Sequence, residues 1–403
     1  MAEFDFTSRL ERAGNDAYAL DAIGSGHGAP ELPDEGFDAI PMWVADMNFP
    51  TAPSVQRALA ARIEHPAYGY FLVRDEYIDA IRFWHATRHG TDVAREAIGY
   101  ENGVLGGVVS GLSAYGSPGD AVLVHSPTYI GFTSALHNAG FSIVTSPLVR
   151  DEAGTWRMDY ADMERKLAEH GIKLAIFCSP HNPCGRVWER EEIEQAMAVF
   201  EQAGCTVISD EIWSDIVFSG HVHVPTQAVS AYAREHTVAL YAPSKTFNLA
   251  GLVGSYHVIY GDALRERVLR CSRASHYNDM NVLSMHALMG AYCDEGARWV
   301  DALVDVLEGN VAWACDFIAQ HFDGIELARP QGTYMLFLDC TRWCECHGAS
   351  LDALLRAGWR VGVGWQDGRP FHGACHIRMN VALPFARVQE AFGRLAQHVF
   401  ATS

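Results

Sequence analysis

Short apolar runs that end in turn-forming residues recur along the chain and constrain its fold more than any other feature. They lie at 121–127, 141–148, 174–180, 205–211, 237–244 and 254–261. These runs are rich in β-branched residues and mostly lack polar alternation, as expected for strands covered on both faces. Segments with helical periodicity lie between most of them, and the one at 190–204 ends at Gly204, a predicted C-cap. The alternation predicts an α/β fold built on a mainly parallel sheet.

The pattern changes after residue 290, where strands and helices no longer alternate. A helical stretch, two predicted strands and a final helix follow at 296–322, 332–340, 375–383 and 385–400. This grouping predicts a smaller α+β domain. We therefore predict an N-terminal arm that joins the small domain, a large domain and a small C-terminal domain, at 1–45, 46–290 and 291–403.

Composition argues against several classes of partner. The 403 residues carry 30 Lys and Arg against 49 Asp and Glu, a formal net charge of −19, so neither nucleic acid nor an anionic membrane is expected as a partner. The 10 cysteines follow no repeating spacing, which disfavours a disulfide framework. The first residues show no basic stretch followed by an apolar core, and no apolar run approaches the ~20 residues of a membrane span. We therefore predict a cytoplasmic protein.

Four side chains directly follow four of the predicted strands. They are Tyr129, Asn182, Asp210 and Lys245, which follow the predicted strands 121–125, 174–178, 205–209 and 237–242. Ligands of open α/β sheets bind beyond the carboxyl ends of the strands, so these side chains are expected to converge. Lys245 is the most distinctive of them, because the chain has only two other lysines. These two, Lys166 and Lys173, lie in a mixed polar segment that is typical of a solvated helix face.

This set suits an aromatic aldehyde cofactor that has a ring nitrogen. A lysine amine such as that of Lys245 forms a Schiff base with the aldehyde. A carboxylate such as that of Asp210 keeps the ring nitrogen protonated, so that the ring accepts electrons from a substrate. The Tyr129 ring would stack on the cofactor, and the Asn182 amide would donate to its ring oxygen.

A phosphate group on such a cofactor would bind where a helix begins. The glycine-rich segment 101–116 predicts a helix start, and backbone N–H groups at such a start bind anions. We expect the amides of Val104 and Leu105 and the nearby Ser244 hydroxyl to be the donors.

Each of the four residues also has a simpler interpretation when it is taken alone. Lys245 could form a surface salt bridge, and Asp210 could cap a helix. Asn182 precedes a proline and could form a turn, and Tyr129 could fill the core. Their joint placement at one edge of the sheet is what favours a cofactor site.

Motifs that span nearly the whole chain carry a family resemblance. They are PMWVADMNF (41–49), GYF (69–71), SPHNPCGRVW (179–188), SDEIWSD (209–215), APSKTFNLAGL (242–252), PQGTYMLFLDC (330–340) and IRMNVALP (377–384). The chain resembles the fold type I pyridoxal 5′-phosphate (PLP) enzymes of the aminotransferase class I/II superfamily, and within them the branch of cystathionine β-lyases and cysteine C–S lyases. The resemblance implies the PLP-transferase fold type I, PLP as the cofactor and Lys245 as the Schiff-base lysine.

The resemblance also implies roles for residues outside this set. Arg378 matches an arginine that binds the substrate carboxylate, which its planar fork suits. Tyr70 matches a tyrosine that reaches the phosphate region across a homodimer interface, although alone it would be interpreted as a buried aromatic at a turn. Relatives carry His or Tyr at the position of Trp213, whose indole N–H can only donate to the cofactor, and Asp at the position of Asn48.

The activity that the resemblance implies is carbon–sulfur β-elimination, in which an S-substituted L-cysteine is cleaved to thiol, pyruvate and ammonia. Lys245, Asp210 and Tyr70 would be the catalytic residues. An aminotransferase of an L-amino acid would use the same residues, and a PLP-binding regulatory protein ranks below both. The stretches CECH (344–347) and HVH (221–223) lack a second ligand pair, so we predict surface loops there and no metal site.

Overall fold

The structure is a computed structural model that describes residues 3–26, 28–275 and 278–401. The chain divides into two compact units. The small unit comprises Met1–Pro50, Pro183–Gly185 and Ala302–Ser403, and the large unit comprises Thr51–Asn182 and Arg186–Asp301.

The strands and helices of the described residues have the following bounds. The strands are β1 (Ile40–Pro41), β2 (Ile98–Glu101), β3 (Ala121–Ser126), β4 (Ser142–Pro147), β5 (Val149–Arg150), β6 (Trp156–Arg157), β7 (Leu174–Cys178), β8 (Thr206–Asp210), β9 (Thr237–Tyr241), β10 (Ser255–Val258), β11 (Met335–Asp339), β12 (Val363–Gly364), β13 (Gln366–Asp367) and β14 (His376–Asn380). The helices are α1 (Tyr18–Asp21), α2 (Pro53–Ile63), α3 (Asp75–Arg88), α4 (Val104–Tyr115), α5 (Ile130–Asn138), α6 (Tyr160–Glu169), α7 (Arg190–Ala203), α8 (Ala231–His236), α9 (Pro243–Thr246), α10 (Asp262–Ser275), α11 (Val282–Ala291), α12 (Asp294–His321), α13 (Thr341–His347), α14 (Leu351–Arg360) and α15 (Phe385–His398). Within the part of the chain that the structure describes, no helix combines the length and the apolar character needed to cross a membrane.

The large unit is built on a sheet with the strand order β2-β10-β9-β8-β7-β3-β4, which makes seven strands among the described residues. β10 runs antiparallel to both of its neighbours, and the other pairs are parallel. The prediction of an α/β fold with a mainly parallel sheet is therefore confirmed. The sequence does not predict the reversed course of β10, which is joined to β9 by residues 242–254, a connection that contains the one-turn helix α9.

The carboxyl ends of the central strands lie side by side. In the register of the sheet, Cys178 at the end of β7 is paired with Asp210 at the end of β8, and Asp210 is paired with Leu240 of β9. Ile176 and Ile208 of the same strands belong to one buried apolar core together with Leu240. Burial of this apolar surface fixes the register, because a shift by one residue would turn each side chain to the opposite face.

Glycines let α4 approach the sheet closely. A Cβ atom at Gly107 would lie 2.6 Å from Leu240 Cδ2, and one at Gly111 would lie 2.7 Å from Ile208 Cδ1. Both distances are too short for a real Cβ contact, so larger residues would push the helix away from β8 and β9. Gly103 precedes the helix with a φ of 79°, which is a conformation that glycine adopts readily.

Helix α7 forms where the sequence predicts a helix at 190–204. The Glu192 carboxylate accepts from the backbone N–H of Glu189 at 2.8 Å and so satisfies a donor at the start of the helix. The predicted C-cap, Gly204, has a φ of 66°, in the left-handed region that ends many helices. This prediction is confirmed at both ends of the helix.

The small unit contains the α+β structure predicted after residue 290. β14 lies between β11 and β13 in an antiparallel sheet, and β1 pairs with β12 in parallel. The predicted strands and final helix form as β11, β14 and α15. On α15, Val388, Ala391 and Phe392 are buried at helical spacing, as expected for the apolar face of an amphipathic helix.

The stretch CECH does not form the predicted surface loop. Cys344 to His347 lie in α13, where the Trp343 and His347 rings stack with centroids 4.5 Å apart. Cys344 is buried, and its Sγ lies 3.7 Å from that of Cys375. The loop prediction is wrong because helical i, i+4 contacts and burial of Cys344 stabilise a helix there. Among the described residues, no group of three or more His, Cys, Asp or Glu side chains is placed to hold a metal ion.

Candidate active site

Asp210 ends β8 as a buried carboxylate at the edge of the sheet. Its Oδ1 accepts from the backbone N–H of Ile212 at 3.1 Å, and its carbonyl accepts from Ser179 N–H at 3.0 Å. Burial raises the pKa of Asp210 to about 7, because the charged form loses its hydration, and the nearby Lys245 cation only partly offsets this effect. A carboxylate of this kind gains from a cation placed against it.

Lys245 lies in the one-turn helix α9, directly after β9. Its side chain is half-buried, and Nζ lies 5.8 Å from the centroid of the Trp213 ring. The indole of Trp213 is buried and belongs to the segment that follows Asp210. The large unit thus brings Lys245, Asp210 and Trp213 together beyond the ends of β8 and β9.

The other two lysines lie elsewhere. Lys173 is exposed and donates to the Ala203 carbonyl. Lys166 is largely buried and pairs with Asp162 at 2.9 Å, so the prediction of a solvated face is wrong for Lys166.

Tyr129 lies next to the start of α4. A Cβ atom at Gly131 would lie 2.3 Å from Tyr129 Cε1 and 2.9 Å from Leu105 Cδ1, so the tyrosine ring and Leu105 both lie against this glycine. The ring is half-buried and meets Phe132 edge-on at 5.4 Å. Tyr129, Leu105 and Ile212 pack on the same core of the large unit.

Asn182 is buried in the segment that follows β7. Its neighbour His181 donates from Nε2 to the Pro127 carbonyl at 2.8 Å, which joins this segment to the one that follows β3 and carries Tyr129. Burial lowers the pKa of His181 to about 4, so the ring is neutral near pH 7. Asn182 and Tyr129 therefore belong to two strand ends that a buried hydrogen bond connects.

The expected phosphate donors lie at two helix starts in the large unit. α4 begins at Val104, so the N–H groups of Val104 and Leu105 belong to its first turn, which has no intrahelical acceptors. Ser244 is the second residue of α9 and precedes Lys245. The positive end of the α4 dipole adds to the attraction that these amides exert on an anion.

The sequence does not reveal the role of Glu211, which directly follows Asp210. Its carboxylate is fully buried and accepts from Ser209 Oγ at 2.9 Å, Thr226 N–H at 3.1 Å, His223 Nε2 at 2.9 Å and the Tyr241 hydroxyl at 2.7 Å. These donors lower its pKa against the opposing effect of burial. The only sequence signal is a second acid at the end of an apolar strand.

Arg378 lies in β14 of the small unit. Its side chain is buried, and Nη2 donates to Gln366 Oε1 at 2.6 Å and to the Trp43 carbonyl at 3.1 Å. The guanidinium carbon lies 4.2 Å from the centroid of the Phe371 ring. In the same unit, Asn48 Oδ1 accepts from Arg12 at 3.0 Å. The burial of Arg378 rules out an ordinary surface arginine.

Tyr70 is fully exposed in the single chain, so the interpretation of a buried aromatic is wrong. It lies in residues 66–74, which form neither helix nor strand. Leu72 of the same segment is also exposed, and a cavity of about 680 Å³ is lined by Tyr70, Tyr100 and Met280 among others. Large apolar side chains exposed together mark a surface that another molecule covers.

The large unit offers a partner for each part of PLP. The buried Asp210 suits a protonated ring nitrogen, the Lys245 amine suits an aldehyde, and the half-buried Tyr129 ring suits an aromatic face. The first turn of α4 offers N–H groups to a phosphate. The residues present therefore fit this cofactor.

Fold and donor set together define a class of proteins. The chain belongs to the aminotransferase class I and II family, whose model matches residues 45–395. It is 30% identical over 394 residues to cystathionine beta-lyase PatB from Bacillus subtilis (strain 168), in an alignment that covers 97% of this chain and 98% of that protein.

Solved structures agree with this membership. Cystalysin from Treponema denticola, whose structure contains a pyridoxal 5′-phosphate cofactor, is 26% identical with a TM-score of 0.90, over 99% of each chain. The PLP-bound C–S lyase from Staphylococcus hominis is 27% identical with a TM-score of 0.88, over 99% of this chain and 100% of that one. The predicted family and fold class are confirmed, and PLP is the cofactor.

Proposed function

We propose that this protein is a PLP-dependent C–S β-lyase that cleaves an S-substituted L-cysteine, such as cystathionine, to thiol, pyruvate and ammonia. The observation that carries the proposal is the pair of Lys245 and buried Asp210 beyond neighbouring strand ends. Support for elimination comes from likeness along nearly the whole chain to proteins named cystathionine beta-lyase and C–S lyase.

Asp210 and Lys245 would do the proton chemistry. Bound PLP supplies covalent attachment of the substrate amine and an acceptor for the electrons left at the substrate Cα. Asp210 would hold the proton on the ring nitrogen, which makes that acceptor effective. Lys245 Nζ would remove the proton from Cα as the general base, and loss of this proton lets the thiolate leave from Cβ. The released enamine hydrolyses to pyruvate and ammonia.

The remaining residues would bind and orient. Arg378 would bind the substrate carboxylate through its planar fork. Tyr129 would stack on the ring, with Asn182 and Trp213 donating near the ring oxygen. Val104, Leu105 and Ser244 would bind the phosphate.

We further propose that the active form is a cytoplasmic homodimer in which Tyr70 of one protomer acts at the phosphate of the other. The full exposure of Tyr70 and Leu72 supports this proposal. None of the ten cysteines, all of which lie among the described residues, forms a disulfide bond, which favours a reducing compartment.

Transamination is the second candidate, because the matching family model is that of aminotransferases. Transamination uses the same residues. It differs from elimination in that the proton taken from the substrate Cα is returned to the cofactor carbon, and no leaving group is expelled from Cβ. Purified protein with PLP and L-cystathionine separates the two reactions. We expect pyruvate and free thiol without any added 2-oxo acid. Turnover only with a 2-oxo acid, and without thiol release, would instead establish an aminotransferase.

A further inference from the structure

The turn that carries Lys245 cannot hold its own conformation. α9 spans only Pro243–Thr246, and a single helical turn is unstable by itself because nucleation fixes several dihedral angles for one hydrogen bond. None of the side chains that the structure describes caps its start. Contacts with the rest of the large unit must therefore set the position of Lys245.

Asp215 supplies such a contact through the residue next to Lys245. Asp215 Oδ2 accepts from the Thr246 hydroxyl at 2.9 Å, and both residues are buried. Lys245 itself is half-buried and lies beside Trp213. Within one turn, Thr246 therefore contacts the buried Asp215 while Lys245 lies beside Trp213. A hydrogen bond to a buried carboxylate is stronger than one between neutral groups.

Aromatic residues hold Asp215 in place in turn. Its Oδ1 accepts from Trp84 Nε1 at 2.9 Å, and His89 Nε2 lies 3.6 Å away. The Trp84 ring stacks on Tyr292 with centroids 4.5 Å apart and planes 6° apart. The carboxylate is therefore a rigid anchor.

Asp215 lies close in the chain to Asp210, so it links Asp210 to the turn that carries Lys245. Asp215 belongs to the same short segment as Asp210 and Trp213, and backbone bonds from Ser214 to Glu211 (3.0 Å) and from Ile216 to Trp213 (2.9 Å) make that segment compact. The bond to Thr246 thus joins the segment of Asp210 to the turn of Lys245.

We propose that Asp215 is a positioning residue, which acts through the Thr246 hydroxyl to hold Lys245 at a set place relative to Asp210. The inference rests on the proposed function only in taking Lys245 as the reacting amine. Asp215 does not touch the reacting atoms, so its loss would act on the rate of reactions at Lys245 and less on substrate affinity.

The test compares two substitutions of Thr246 with a matched threonine. Thr246→Val removes the hydroxyl at nearly constant volume, and Thr246→Ser keeps it. Thr237→Val is the control, because Thr237 is also buried but its hydroxyl has no hydrogen-bond partner among the described residues. The first readout is the rate at which cofactor-free protein captures PLP, followed by absorbance.

We expect Thr246→Val to capture PLP roughly ten- to hundredfold more slowly, as displacement of a reacting group by about 1 Å does, with Thr246→Ser within about threefold of the unsubstituted protein. Thr237→Val is expected to capture PLP at the unsubstituted rate. Capture by Thr246→Val at that rate, or equal slowing in Thr246→Ser or Thr237→Val, would overturn the proposal. If Thr246→Val does not fold, Asp215→Asn replaces it, and unchanged capture by that variant would be equally adverse.

A second readout separates this inference from the proposed function. With an S-substituted L-cysteine as substrate, Thr246→Val is expected to lower kcat and to leave KM within about threefold. A fall in unfolding free energy without a change in kcat would show a merely structural role. If the unsubstituted protein releases no thiol from any such substrate, the proposed function fails, while the capture rate still decides the role of Asp215.

Discussion

The Tyr241 hydroxyl donates to Glu211 Oε2 at 2.7 Å and so joins the end of β9 to the residue that follows β8. β8 ends at Asp210, and Lys245 follows β9 by four residues. Glu211 takes three further donors and is fully buried. The buried charge of Glu211 therefore fixes β8 and β9 to each other. In the hydrogen bonds described, the Glu211 side chain contacts neither Lys245 nor the Asp210 carboxylate.

Glu211→Gln is expected to destabilise the protein by about 2–4 kcal/mol. The glutamine amide lacks the negative charge of the glutamate. It also places an N–H₂ group where Oε2 accepts from His223 Nε2 and the Tyr241 hydroxyl, so these two buried donors lose their acceptor. Denaturant unfolding measures the change. Glu194→Gln, at an exposed ion pair with Arg190 at 3.8 Å, is the control and is expected to stay within about 0.5 kcal/mol. Equal losses in both variants would contradict the role of Glu211.

Lys245→Ala is expected to lower pyruvate formation by at least roughly 10²- to 10⁴-fold, because it removes the general base. Lys173→Ala is the matched control, since this exposed lysine donates only to the Ala203 carbonyl among the bonds described for it. Steady-state rates with an S-substituted L-cysteine measure both. A Lys245→Ala protein with ordinary turnover would refute the proposed mechanism.

The contribution of Asp210 to the stability of the cofactor-free protein is expected to fall as the pH rises from about 4 to about 7. Burial raises the pKa of Asp210 from 3.8 to about 7, so the folded state binds this proton more tightly than the unfolded chain does over that interval. The contribution of Asp210 is therefore favourable at low pH and is lost as the pH rises through its folded pKa.

Unfolding of the cofactor-free protein at several pH values measures this effect. Asp210→Asn cannot titrate, so the difference in unfolding free energy between it and the unsubstituted protein should vary with pH in that interval by an amount of the order of 1 kcal/mol or more. PLP is expected to reduce the dependence, because a protonated ring nitrogen favours ionised Asp210. A pH-independent difference would mean that Asp210 is ionised in the cofactor-free protein.

Tyr70→Ala is expected to lower the rate of elimination while the unfolding free energy of the separated protomer changes by less than about 0.5 kcal/mol, because the side chain is fully exposed in the single chain. If Tyr70 acts across a homodimer, mixing Tyr70→Ala and Lys245→Ala protomers creates dimers with one intact site. Random mixing should then restore about a quarter of the unsubstituted activity. No recovery after verified exchange of protomers would place Tyr70 outside a shared site.

Local patterns were sufficient for elements whose stability is local or whose burial is complete. The apolar run at β8 and the glycine that ends α7 each have one physical interpretation, and the structure contains both. The stretch at α13 has two interpretations. Cys344–His347 is short and polar enough for a loop, but burial of Cys344 within the small unit and the contact between Trp343 and His347 stabilise a helix. The exposure of Tyr70 likewise could not be predicted, because the local sequence pattern does not distinguish an aromatic residue in the core from one on the surface.

The alternating fold, the family and the cofactor follow from local sequence, because strand ends, turn glycines and the motifs around Lys245 and Asp210 are features of neighbouring residues. The reversed direction of β10, the burial of the Glu211 and Asp215 carboxylates, and the hydrogen bond from the Thr246 hydroxyl to Asp215 follow only from the tertiary structure. These depend on residues far apart in the chain. From sequence alone, an Asp or Glu is interpreted as a helix cap or a surface charge. Only packing in the folded chain removes the water from such a carboxylate and supplies its hydrogen-bond donors.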